Sequence, residues 1–334
     1  MRGTTITEIQ TSEWDTFDES VLSSDRPVVL RGLVSDWPAV AAARTSTEQL
    51  SVYLEEFATD KPVTAMQGDA AAKGRLFYNA AMDGFNFEYI RLSLREATQK
   101  ILSFQESQDP PSLYVGSTNV DHWLPGFRAE NDIPIGRLSP LVSIWLGNRS
   151  TVAAHYDFPS NIACVVAGRR RVTLFPPDQL ENLYVGPLDL TPAGQPISLV
   201  DLKQPDYTRY PRFREAEKFA QTAELSTGDA IVIPSMWWHH MEATDPFNLL
   251  VNYWWRDTPA YMGPPLSVLQ HAILGLRDLP PRQREHWKRL FDFYVFDPTA
   301  ENFEHIPEEA RGVLNKLDED IASGLRGNLR NKLL

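Results

Sequence analysis

The sequence predicts a mainly β protein, a sandwich or jelly roll, with helices appended at its C-terminal end. Two observations carry this. Short β-branched or aromatic segments broken by Gly, Asn or Pro fill the middle of the chain, at 140–147, 150–157, 161–167 and 169–175, with two more at 229–234 and 247–256. From Pro264 onward the apolar residues step at helical spacing instead.

Before the β core, α and β elements mix. Residues 26–32 read as a strand that ends at Gly32. Residues 47–58 read as a helix with Leu50, Tyr53, Leu54 and Phe57 on one face. Ser93 and Glu96 form a capping box that opens a helix to about Phe104. After Pro110 and Pro111, residues 112–115 read as a strand. A polar, Pro-rich excursion, about 177–225, interrupts the β core. The tail reads as three helices. Leu266, Leu269, Ile273 and Leu276 mark the first; Trp287, Leu290, Phe291 and Tyr294 the second; Ala310, Val313, Leu314, Leu317 and Ile321 the third. The expected division is 1–263 for the β region with its N-terminal elements and 264–334 for the helical region.

Bulk composition narrows the function. A chain of 334 residues with 43% hydrophobic and 11% aromatic residues can bury a large core. A formal net charge of -12 repels a phosphate backbone over most of the surface, so no nucleic-acid partner is expected. No apolar run reaches the roughly 20 residues of a membrane helix, and the first residues carry no apolar signal core. The single cysteine, Cys164, excludes an internal disulfide. Together these point to a cytoplasmic protein.

The chemistry sits in two segments. His155-Tyr-Asp157 puts an imidazole and a carboxylate two residues apart, on one face if the segment is a strand. Alone this is weak: roughly one such pair is expected by chance at this composition, and His240-Met-Glu242 is a second. The context is more specific. His155 and Asp157 are followed after three residues by Asn161 and after six more by Gly168. Gly228 is followed after five residues by Pro234, then Ser235 and Met236, and after two more by His239. Both spacings resemble the two cupin motifs, H-x-H-x(3,4)-E-x(6)-G and G-x(5)-P-x-G-x(2)-H. Asp157, Asn161 and Met236 stand where those motifs have His, Glu and Gly. Two imidazoles and one carboxylate make a facial triad with open positions, a donor set suited to Fe(II).

These residues, with the Val-Thr-Leu-Phe-Pro-Pro-Asp-Gln-Leu run from Val172, the Trp-Trp-His-His run at 237–240 and Asn252-Tyr-Trp254, resemble the JmjC-related, cupin-like oxygenases. Within them the chain looks like the asparaginyl hydroxylase that inhibits hypoxia-inducible factor. The resemblance covers roughly 26–256. It implies a double-stranded β-helix and Fe(II) held by His155, Asp157 and His239. It also implies 2-oxoglutarate and O2 as co-substrates. His239 is expected as the ligand over His240 because it lies at the cupin distance from Pro234, although strand parity alone leaves either open.

The resemblance also points to a co-substrate pocket. Arg170 takes the position of the lysine that binds the distal carboxylate of 2-oxoglutarate, and an arginine can grip a carboxylate bidentately. Alternation aims it opposite to Arg169 and Arg171; three solvated arginines are the plain alternative. Tyr114 is expected on the same carboxylate. Asn161 and Asn252 are expected to face the pocket, Trp254 to wall it and Tyr156 to meet substrate. Each has packing or a structural hydrogen bond as its alternative. The related hydroxylase has a threonine three residues before its first ligand. Here that position is Val152, with Thr151 one residue earlier, so Thr151 is the candidate for that bond.

The expected substrate is a peptide or protein side chain or a small metabolite. Two other classes stay open: a metal-binding cupin isomerase or dioxygenase that does not use 2-oxoglutarate, and a non-catalytic binding module. The three amphipathic tail stretches, with the dimeric hydroxylase as precedent, lead to an expected homodimer through the C-terminal helices.

Overall fold

The computed structural model describes residues 4–14 and 16–333. The chain divides into two compact units, Met1–Arg256 and Asp257–Leu334. The strands of the first unit are β1 (Thr4–Thr5), β2 (Thr7–Gln10), β3 (Val28–Arg31), β4 (Val63–Gly68), β5 (Arg75–Leu76), β6 (Phe87–Leu92), β7 (Ser112–Asn119) and β8 (Leu141–Gly147). They continue with β9 (Ser150–His155), β10 (Ser160–Ala167), β11 (Arg170–Phe175), β12 (Gln221–Leu225), β13 (Ala230–Ile233), β14 (Trp238–Ala243) and β15 (Asn248–Trp255). Two sheets result. One runs β1-β12-β11-β14-β9-β5, the other β2-β3-β13-β10-β15-β8-β7-β4-β6.

Strand alternation explains how the sheets pack. On β10, Asn161, Ala163 and Val165 face the six-stranded sheet, while Ile162, Cys164 and Val166 face the other way. On β15, Leu250, Asn252 and Trp254 face in, and Leu249, Val251 and Tyr253 face out. Both faces of these central strands are covered, so they read as near-continuous apolar runs. An inter-sheet core forms from Val29, Ala163, Val165, Val172, Leu174 and Ile231, among others. The outer face of the nine-stranded sheet is covered by α1 (Pro38–Thr45), α2 (Thr47–Glu55) and α3 (Leu94–Ser103), which bury Val40, Leu50, Leu54, Ala97 and Ile101. The Ser93–Glu96 capping box that starts α3 is present in both directions. The result is the mainly β, jelly-roll architecture that the patterning predicts.

Glycines mark two obligatory bends. Gly168, between β10 and β11, has φ +79°, and a Cβ there would lie 2.4 Å from Asn248 Oδ1. Gly228, before β13, has φ +102°, and its Cβ would lie 2.6 Å from Ser35 Oγ. Both are glycines of the two motif segments.

The second unit holds three longer helices, α4 (Pro265–Leu276), α5 (Pro281–Phe291) and α6 (Glu319–Leu333). The third tail helix therefore starts later than the sequence suggests. Ala310, Val313 and Leu314 lie in short 3-10 turns, Gly312 takes φ +53°, and the Asp318 carboxylate accepts the N–H of Ile321 at 2.8 Å. Asp318 thus caps α6 and fixes its start. No described helix is long and apolar enough to cross a membrane.

Candidate active site

Two neighbouring strands of the six-stranded sheet place the imidazoles. β9 and β14 run antiparallel, with His155 directly opposite His239. Their ring centroids are 4.2 Å apart. Asp157 lies two residues beyond the end of β9, so strand parity with His155, expected from a strand over 150–157, is not what aims it. A turn does so instead. The Met236 N–H donates to the Asp157 carbonyl at 2.9 Å, and the Ser235 hydroxyl donates to the Phe158 carbonyl at 2.5 Å. This lashes the loop after β9 to the turn before β14. Met236 has φ +67°, the left-handed conformation that suits the glycine of the cupin motif at this position. Asp157 Oδ2 then lies 3.6 Å from His239 Nε2. One donor atom each from His155, Asp157 and His239 falls within 4.8 Å of the others.

Each imidazole is oriented by the main chain. His155 Nδ1–H donates to the Ala153 carbonyl at 2.9 Å, and His239 Nδ1–H donates to the Trp237 carbonyl at 3.0 Å. A carbonyl can only accept, so Nδ1 carries the proton and Nε2 is left with a lone pair. Burial, reinforced by the neighbouring His155, brings the His239 pKa down to about 4. That keeps its ring neutral, the form a cation needs. His240, next along β14, turns away from this cluster, with its Nε2 3.5 Å from Glu242 Oε1.

Pairing between β9 and β14 shifts between His239 and Met241, a β-bulge that adds one residue to β9 between Val152 and His155. It resets the alternation, so both Val152 and His155 line the cavity described next. Thr151 is on the opposite side. Its hydroxyl accepts from Lys203 Nζ at 3.0 Å, and Lys203 also pairs with Glu242 at 3.0 Å. The placement of Thr151 in a co-substrate pocket is therefore corrected: it does not line the cavity.

The cavity lies between the two sheets and measures about 340 Å³. His155, Asp157 and His239 line it, as do Arg170, Tyr114, Asn161, Asn252 and Trp254. Arg170 points inward from β11 while Arg169 and Arg171 point outward to pair with Asp245 and Glu224. Arg170 is only 2% exposed, and neither its Nε nor its Nη2 has a hydrogen-bond partner among the described residues. Burial lowers its pKa, with Tyr114 pulling the other way. Burial likewise pushes Tyr114 up to about 12, so its hydroxyl stays protonated beside the guanidinium. Tyr156 is also corrected. It packs edge-on against Trp238, ring centroids 5.0 Å apart, within a separate cluster around Phe175 and Phe213, and does not line the cavity.

Trp145 was not singled out by the sequence, yet it sets the polarity of the cavity wall. Its Nε1–H donates to Asn252 Oδ1 at 2.7 Å, and Asn252 Nδ2 donates to Asn161 Oδ1 at 3.2 Å. Indole N–H is donor-only, so it fixes which end of Asn252 faces it. Asn252 in turn fixes Asn161, leaving the Asn161 NH2 as the end free to donate into the cavity. The excursion contributes as well: Pro192, Ala193, Gly194 and Ile197 close one side of the cavity. Tyr78 holds that loop by donating its hydroxyl to the Leu190 carbonyl at 2.7 Å.

Comparison with known proteins agrees with this geometry. A cupin-like domain profile matches residues 14–261. Lysine-specific demethylase JMJ31 of Arabidopsis thaliana is 34% identical over 57% of this chain and 31% of its own length. Lysine-specific demethylase 8 of Xenopus tropicalis is 27% identical over 75% of this chain and 53% of its own. tRNA wybutosine-synthesizing protein 5 of Gallus gallus is 27% identical over 40% of this chain and 44% of its own. The matched part spans 31% to 53% of the length of these relatives. The chain belongs to the cupin-like domain family.

Proposed function

We propose that this protein is an Fe(II)- and 2-oxoglutarate-dependent oxygenase that hydroxylates a C–H bond of a peptide or protein side chain or of a small metabolite. The observation that carries the reading is a pairing of groups in one cavity. A two-His, one-carboxylate cluster and a buried guanidinium whose Nε and Nη2 have no acceptor among the described residues share one cavity. An unpaired buried cation is costly by several kcal/mol. A ligand that chelates at one end and carries a carboxylate at the other meets both demands.

His155, Asp157 and His239 would hold the iron through two Nε2 atoms and one carboxylate oxygen. Arg170 would bind the distal carboxylate of 2-oxoglutarate, with the Tyr114 hydroxyl donating to the same group. Asn161 would present its NH2 to an oxygen of the co-substrate, and Asn252 would keep it turned that way. Trp254 would exclude water from the substrate side. When bound, iron and 2-oxoglutarate supply the oxidising power for the C–H step, with succinate and CO2 as by-products.

The carboxylate-sized demand of Arg170 favours this over a cupin isomerase, a dioxygenase that does not use 2-oxoglutarate, or a binding module. Succinate release on adding Fe(II) and 2-oxoglutarate tests it. Metal binding with no succinate, in any substrate mixture, would return the choice to those alternatives. Formaldehyde as co-product would place the C–H bond on an N-methyl group, the class of reaction named for two of the relatives.

We also infer a homodimer formed through the tail helices. Among described side chains of residues 257–332, only Phe303 and Ala322 are buried. Leu274, Phe296 and Val268 are 80%, 69% and 61% exposed. Apolar helix faces of this extent seek a partner surface. A monomeric mass in solution at micromolar concentration would reject the dimer.

A further inference from the structure

The bulge beside the two imidazoles poses a mechanical problem. Between the His239–His155 and Met241–Val152 pairs, Ala153 and Ala154 of β9 face the single residue His240 of β14. A bulge interrupts the ladder at such a point. Yet the carbonyl that orients the His155 ring belongs to Ala153, inside the interruption. His155 and His239 therefore cannot take their register from a continuous ladder.

The face of the sheet away from the cavity supplies what the ladder lacks. Thr151 and Glu242 are direct partners on β9 and β14, just beyond the bulge. Lys203, from the polar excursion between β11 and β12, reaches over this pair. Its Nζ donates to Thr151 Oγ1 at 3.0 Å and lies 3.0 Å from Glu242 Oε2. The other carboxylate oxygen, Glu242 Oε1, lies 3.5 Å from Nε2 of His240, the residue facing the bulge. One ammonium thus joins both ligand-bearing strands, and through Glu242 it reaches the neighbour of His239. The same excursion adds a second strut, because the Ser198 N–H donates to the Ala154 carbonyl at 2.7 Å. Lys203 is half exposed, but the Glu242 side chain is only 14% exposed and Thr151 is buried. The contact is therefore better shielded than an ordinary surface ion pair. Burial would raise the Glu242 pKa, but its contacts with His240 and Lys203 bring it down to about 2, so it is ionised opposite Lys203.

We propose that Lys203 is a positioning residue for the metal centre: it clamps β9 to β14 behind the bulge and so holds His155 and His239 in register. Lys203 touches neither the cavity nor the three ligands, and it acts through the strands that carry two of them. The role rests on the reading of His155, Asp157 and His239 as metal ligands.

The test is titration of the full, metal-free chain with Co(II), a spectroscopic stand-in for Fe(II), read by its visible absorption bands. Lys203→Met keeps the apolar stem and deletes the ammonium. It should weaken Co(II) binding roughly tenfold, the lower end of the effect of groups that hold metal ligands from outside. The absorption bands should shift as well. Lys203→Arg, which keeps the charge, should recover most of the loss. Arg212→Ala is the control for general loosening of the excursion. It removes a different tether, from Arg212 Nε to the Glu181 carbonyl at 3.2 Å, that does not involve β9 or β14. It should leave Co(II) affinity and absorption as in the wild type. Unchanged Co(II) binding in Lys203→Met overturns the proposal. So does a loss that Lys203→Arg does not recover, or an equal loss in Arg212→Ala. A wild-type chain that binds no Co(II) would sink the metal reading itself and this proposal with it.

Discussion

The two ends of the cavity between the sheets are built on opposite principles. At the metal end the chain satisfies its own groups. Both imidazoles are tied to main-chain carbonyls two residues back, and burial keeps His239 neutral. At the cation end Arg170 is buried, and its Nε and Nη2 have no acceptor among the described residues. The metal end is thus organised before anything binds, whereas the cation end is completed only by a ligand. Loss of a ligand atom at the first should remove binding outright. Loss of the guanidinium at the second should weaken one contact and at the same time relieve a cost.

His239→Ala is the most severe test of that contrast. It should abolish stoichiometric metal binding, while His240→Ala retains it, as metal content after dialysis would show. The opposite pattern would mean that β14 faces the cavity with the wrong residues. Arg170→Ala should follow, weakening 2-oxoglutarate binding by roughly 1.5–3 kcal/mol with metal content unchanged. Unaltered co-substrate affinity would remove Arg170 from the site. Trp145→Phe keeps most of the ring but deletes the N–H that orients Asn252 and Asn161. It should raise the half-saturating 2-oxoglutarate concentration about fivefold, near 1 kcal/mol, the value of one hydrogen bond. A change in metal affinity in place of this would mean the amide chain serves the other end. Thr151→Val should be smallest, within about twofold for the co-substrate, the small change expected of a substitution outside the site. A loss as large as that from Trp145→Phe would show that the cavity extends past β9.

Much of this was legible in the sequence, and the failures have physical causes. The central strands were readable because both their faces are apolar. β14 was not read as a strand from its pattern. Its residues, Trp238-His-His-Met-Glu-Ala243, follow chemistry and not alternation. β4 and β6 were missed as well, being mixed in character with partly exposed faces. Motif spacing located the triad, but the inference of parity from His155 to Asp157 failed because the strand ends at His155. The resemblance offers Thr151 only as the threonine nearest the position three before His155, and the structure puts Val152, at that position, on the cavity and Thr151 off it. A bulge shifts the phase by one residue, and no periodicity in the sequence reveals it. Trp145 and the 192–197 wall depend on contacts between distant segments, which local patterning does not encode.

The turn at Met236 bears on how far this scaffold could be stabilised by design. A side chain held at φ +67° costs on the order of 1 kcal/mol, so glycine looks like an obvious improvement. Yet glycine also enlarges the conformational freedom of the unfolded chain, a penalty of roughly 0.5–1 kcal/mol. The two nearly cancel, and the melting temperature of Met236→Gly should move little. Methionine at this bend is therefore close to thermodynamically neutral, so a stability screen would pass over the position. What the residue can change is the surface of the turn that holds the Asp157 main chain, where it remains 39% exposed.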